Sequence, residues 1–128
     1  MNQPETIIEP VEQIWNIGGP WVGNLIISGK KYEGKFLSGD VIFDVRKSVL
    51  YAARYFDKGY FQWQCYFKIE AISIYENRVY LSKKKFKSLC LVTAYNGVLD
   101  FYECFCGGAK ATINRIEYND VNFEGLVS

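Results

Sequence analysis

Phe61-Gln62-Trp63-Gln64-Cys65-Tyr66-Phe67-Lys68-Ile69-Glu70 alternates apolar and polar side chains, residue by residue. Successive side chains of an extended chain point to opposite faces, so a period of two marks a strand with one buried and one wet face. The odd positions Phe61, Trp63, Cys65, Phe67 and Ile69 form the apolar face, and Gln62, Gln64, Tyr66, Lys68 and Glu70 the polar one. After Ala71 the apolar set moves to Ile72 and Ile74, a change of phase that predicts a bulge or bend near Ala71.

The flanking sequence carries the same signature. Asn96-Gly97 separates two apolar runs, residues 89–95 and 98–105. Both turn residues tolerate positive φ, so this is a type I′ hairpin signal. Ser28-Gly29-Lys30-Lys31 turns a strand at 21–28 into one at 31–37, and Ser38-Gly39-Asp40 leads into another at 41–45. Arg46-Lys47 turns the chain into 48–56, Asp57-Lys58-Gly59 precedes the Phe61 strand, and Glu76-Asn77-Arg78 precedes 79–82. Residues 109–118 and 122–127 complete the set, with Gly107-Gly108 breaking the connection before them. Residues 5–17 carry no clear period, and Pro4 and Pro10 disfavour a continuous helix there. Roughly nine to eleven short strands with frequent turns predict an antiparallel β-sandwich or a closed β-barrel. A chain of 128 residues fits a single β domain spanning 1–128.

Composition narrows the function. Fifteen basic and fourteen acidic residues leave a net charge of +1, which gives no support to direct nucleic-acid binding. No apolar run is long enough for a membrane-spanning helix, and the first five residues lack the basic and apolar regions of a secretion signal. A cytoplasmic location is therefore expected, with Cys65, Cys90, Cys104 and Cys106 as reduced thiols. The Cys104-Phe105-Cys106 spacing is tighter than paired zinc ligands usually show, so no metal site and no cofactor is expected. The chain contains no histidine, which removes Ser-His-Asp and Cys-His catalysis within one chain and places an enzyme last among the classes. Gly18-Gly19-Pro20 and Gly107-Gly108 match no phosphate-binding loop. Lys83-Lys84-Lys85-Phe86-Lys87 reads as a solvated connection, with a phosphate or an acidic partner as the alternative.

Ten tyrosines, nine phenylalanines and three tryptophans make 17% of the chain aromatic, and most of these rings are expected in the core. Those assigned to wet faces are the binding candidates: Tyr51 or Tyr55, Tyr60 and Tyr66.

The segment Ile17-Gly18-Gly19-Pro20-Trp21-Val22-Gly23-Asn24-Leu25-Ile26-Ile27-Ser28-Gly29-Lys30-Lys31-Tyr32, followed by Phe36-Leu37 and Ala53-Arg54-Tyr55-Phe56, resembles the opening of small bacterial immunity proteins of polymorphic-toxin and contact-dependent inhibition systems. The likeness covers about the first half of the chain and rests on a tryptophan-led hairpin. It implies a protein that binds one cognate toxin domain and blocks its active site. Toxins of this kind include nucleases with basic clefts, which acidic side chains would complement; Glu70, Asp100, Glu103, Glu117 and Asp120 are the candidates. The alternative is a small β-barrel carrier of an apolar molecule, and a third reading is an accessory structural domain of a larger assembly.

Overall fold

The computed structural model describes residues 4–14, 19–57, 65–104, 112–119 and 122–125. It is all-β and antiparallel. Ten strands are seen among the described residues: β1 (Thr6–Gln13), β2 (Trp21–Ile27), β3 (Lys30–Asp44), β4 (Val49–Phe56), β5 (Tyr66–Ser73), β6 (Arg78–Ser82), β7 (Cys90–Tyr95), β8 (Val98–Tyr102), β9 (Asn114–Glu117) and β10 (Phe123–Gly125). Seven form one sheet in the order β1-β2-β3-β4-β5-β6-β10, and β7-β8-β9 form a second. The larger sheet ends on β1 and β10 and is not closed into a barrel, which decides for the sandwich. No helix of the described residues is long and apolar enough to cross a membrane.

The 15 residues of β3 join what the sequence reads as two strands. Register with β4 shifts between Phe36 and Val41, and Gly34 and Gly39 adopt positive φ around that break. At Gly34 a Cβ would lie 3.0 Å from the Phe36 ring and 3.4 Å from the Arg54 guanidinium, so the position is closed to a side chain on two counts. The shift kinks β3 and curls the sheet. Side chains of β1, β2 and the first part of β3 (Ile8, Leu25, Phe36) thereby reach Phe43, Leu50 and Ile72 in one apolar cluster. Lys30 Nζ donates to Asn77 Oδ1 at 3.2 Å, linking the β2–β3 turn to the β5–β6 turn across the curl.

The other face of the same sheet packs on the smaller one. Val22, Leu37, Tyr51, Phe67 and Ile69 meet Leu89, Leu91, Leu99 and Phe101 there. Phe86, inside the lysine-rich connection, is 3% exposed and exchanges backbone hydrogen bonds with Phe67 at 2.7 and 2.8 Å. Lys83, Lys84, Lys85 and Lys87 around it face solvent, so the connection is anchored by its one apolar residue.

One expectation is corrected. β5 pairs with β4 in unbroken register from Phe56↔Tyr66 to Val49↔Ser73, so no bulge falls at Ala71. The apolar phase changes there because β5 is buried on both faces, with Ile69 and Ala71 in the inter-sheet core and Ile72 in the curled one. Residues 61–64 of the alternating stretch lie outside the described residues, and its described part enters β5 at Tyr66.

Candidate functional site

Four turns gather at one end of the molecule. Asp44, the last residue of β3, is fully buried and organises them. Its Oδ1 accepts from the N–H groups of Lys47 at 3.1 Å and Asn96 at 3.2 Å, and its Oδ2 from the N–H of Gly97 at 2.7 Å. One carboxylate thus closes the β3–β4 turn and holds the β7–β8 hairpin against it. The Ile74 N–H donates to the Ser48 carbonyl at 3.0 Å, tying in the β5–β6 turn, and the Tyr118 N–H donates to the Gly97 carbonyl at 2.8 Å. Ser48, Asn77, Asn96 and Gly97 all take positive φ, which fixes the loops as tight turns.

This rigid end exposes apolar side chains. Val45 is 54% exposed and Tyr75 76%, each within a turn, and Tyr95, which ends β7 beside a third turn, is 61% exposed. The Arg46 guanidinium lies 5.4 Å from the centre of the Tyr95 ring. Lys30, Lys47 and Arg78 are exposed nearby on the same turns. The surface is therefore aromatic with a basic rim. Held aromatic side chains lose little conformational freedom on contact, which suits them to anchoring a partner.

Beside it opens a cleft of about 250 Å³ lined by Glu76, Tyr80, Tyr118, Asn119 and Phe123. The Tyr80 and Tyr118 rings stand edge to face, centroids 5.7 Å apart at 85°, and Phe123 tilts against Tyr118 at 5.8 Å. Tyr80 Oη donates to Glu76 Oε2 at 3.1 Å. Behind the cleft, Tyr51 packs on Tyr118 and Phe123, and its buried hydroxyl has no hydrogen-bond partner among the described residues. Burial first, then the Asp44 charge and Tyr118, push the Tyr51 pKa upward.

The residues singled out in the sequence fall elsewhere. Tyr55 is 6% exposed with its ring 5.2 Å from Phe67, and Tyr51 is fully buried, so neither can anchor a partner. Glu70 is 1% exposed and accepts from the Arg54 guanidinium at 2.8 Å. Burial raises its pKa, opposed by the Arg54 hydrogen bond and charge. It is a core ion pair and not a surface acid. Tyr66 is half-buried, stacked on Phe56 at 5.0 Å, with Lys85 Nζ 4.6 Å from its centre. Asp100 is bound to Arg115 at 2.9 Å and Glu103 to Lys84 at 3.4 Å, so their charges are matched within the chain. Asp100, Glu117 and Tyr95 share the outer face of the small sheet, where Asp100 opposes Thr93 and Arg115, and Val98 opposes Tyr95 and Glu117. Tyr60 and Asp120 lie outside the described residues. Tyr75 and Tyr95 were missed, although each directly abuts a turn signal that the sequence displays.

Cys90 is disulfide-bonded, which corrects the expectation of four reduced thiols. Cys65 is a buried thiol donating to Asp57 Oδ1 at 3.5 Å. Among the described residues no group of three or more His, Cys, Asp or Glu side chains is placed to hold a metal ion. No protein-family model, curated protein or solved structure matches the chain.

Proposed function

We propose that the chain is a binding protein and not an enzyme: an inhibitor of the immunity type that docks on a toxin domain through its turn-bearing end and covers that domain's active site. The observation that carries this reading is the exposure of Val45, Tyr75 and Tyr95 at three turns, two of them joined by buried Asp44 and the third held by the Ile74–Ser48 backbone bond. Exposed aromatics on a preorganised base are the residues that dominate protein interfaces. The charge around them argues for a partner surface that carries acidic groups opposite Arg46, Lys47 and Arg78, since most of the chain's candidate acids are already paired. A carrier would need an enclosed lumen, and the open order of the larger sheet does not favour one.

Affinity capture of the tagged protein from its native cells, with mass spectrometry of what is retained, tests the proposal. One stoichiometric protein bearing a toxic domain is expected, and the Tyr75→Ser/Tyr95→Ser double variant should retain it at least about tenfold more weakly. A co-purifying small molecule in place of a protein would overturn the reading. So would a partner that the double variant holds unchanged. A cytoplasmic site of action belongs to this proposal.

A further inference from the structure

We infer that the cleft between Glu76, Tyr80, Tyr118 and Phe123 is a cage for one cationic side chain, a lysine or arginine presented by a protein partner. The ring arrangement is the first ground. Tyr80 and Tyr118 are partly exposed and perpendicular at 85°, and Phe123 is buried against Tyr118 at the base, so a group entering the cleft meets two tyrosine rings of different orientation. Aromatic faces carry negative potential and attract ammonium and guanidinium groups. The second ground is the carboxylate. Glu76 is exposed in the β5–β6 turn, and the Tyr80 hydroxyl fixes one of its oxygens at 3.1 Å. A cation in the cleft would therefore meet a carboxylate whose position is already set.

The third ground is what the cleft lacks. Among the described residues its lining holds no lysine or arginine. Asn119 is committed to its own turn: its Oδ1 accepts from the Asn122 N–H at 3.2 Å and its Nδ2 donates to Glu117 Oε2 at 3.5 Å. No described residue of the lining supplies a counter-charge to Glu76. An anion would be repelled, and a neutral apolar group would leave the carboxylate without use. The volume of about 250 Å³ suits one side chain and not a folded segment.

Only the source of the cation rests on the partner-binding reading. The cage itself is tested without a partner. Titrate the isotopically labelled full chain with Nα-acetyl-arginine amide and Nα-acetyl-lysine amide, and with the neutral Nα-acetyl-citrulline and Nα-acetyl-norleucine amides, following the tyrosine ring signals by NMR. Saturable shifts at Tyr80 and Tyr118 are expected with the cations, at least about fivefold tighter than with the neutral analogues. Glu76→Gln should abolish that preference, and Glu124→Gln, an exposed acid outside the lining, should keep it. No saturable shift, equal binding of the citrulline amide, or an unchanged Glu76→Gln titration would each overturn the inference. If the cations bind but no protein partner is ever captured, the cage stands and the inhibitor reading falls. If a partner is captured and held through Tyr75 and Tyr95 while the amides do not bind, the reverse holds.

Discussion

Asp40 is a buried carboxylate with half its hydrogen bonding met. It is 6% exposed, its Oδ1 accepts from the Leu91 N–H at 2.8 Å, and its Oδ2 has no partner among the described residues. Burial lifts its pKa from the ordinary 3.8 to about 6, against the lowering effect of the Leu91 bond. Between those values the folded chain keeps a proton that the unfolded chain has released. Native stability contributed by this group is therefore full below about pH 4 and lost as pH rises through about 6, a loss of about 3 kcal/mol. Asp40→Asn should be more stable than the parent at pH 7, by up to that amount, with the gap closing towards pH 4. Urea unfolding at four pH values checks this, and a gap independent of pH would refute it. At this scale the sequence says little, because alternation assigns a side to each residue but not a depth. Tyr55 and Glu70 were placed on wet faces, but Tyr55 packs in the inter-sheet core and Glu70 lies on the side of the curled cluster, while Tyr75 and Tyr95 escape notice because turns have no period to read.

The pairing of β4 with β5 brings Arg54 and Glu70 together inside a sheet that is apolar on both sides. Arg54 also lies over the rings of Phe36 and Phe56, at 5.7 and 5.4 Å from their centres, so its charge is held by packing as well as by the carboxylate. Arg54→Met would leave Glu70 buried and uncompensated. The expected cost is about 3–5 kcal/mol at neutral pH. Adding Glu70→Gln should restore most of it, which thermal unfolding of the single and double variants would register. Strand positions and the Ser28-Gly29 and Asn96-Gly97 turns were legible because turn chemistry is local. The burial of β5 on both faces was not, since a strand covered on two sides mimics a strand with a bulge. Pro10 hid β1 in the same way. It is accommodated on an edge strand, where register with β2 shifts between Pro10 and Glu12 and a lost donor disrupts no inner ladder.

For the whole molecule, period-two patterning settles the all-β class but leaves sandwich and barrel equally open, because both place alternate residues inside. What separates them is the open, kinked course of the larger sheet: Ser38-Gly39 reads as an ordinary strand break, and Gly34 passes unmarked inside the strand at 31–37. The candidate surface arises at this scale as well. It is assembled from turns far apart in sequence, so no local motif announces it.

Asp44 has a further consequence in time. Its bond to the Gly97 N–H spans 53 residues, whereas the β1–β6 meander of the larger sheet and the β7–β8 hairpin each form from near neighbours, β10 alone joining the larger sheet from afar. Contacts of such long reach require the loop between them to be closed before they return any stabilisation, so the two sheets are expected to fold first and dock last. Asp44→Ala should then accelerate unfolding by about tenfold or more and leave the refolding rate nearly unchanged in stopped-flow experiments. Slowed refolding would instead place the docking of the two sheets inside the folding nucleus.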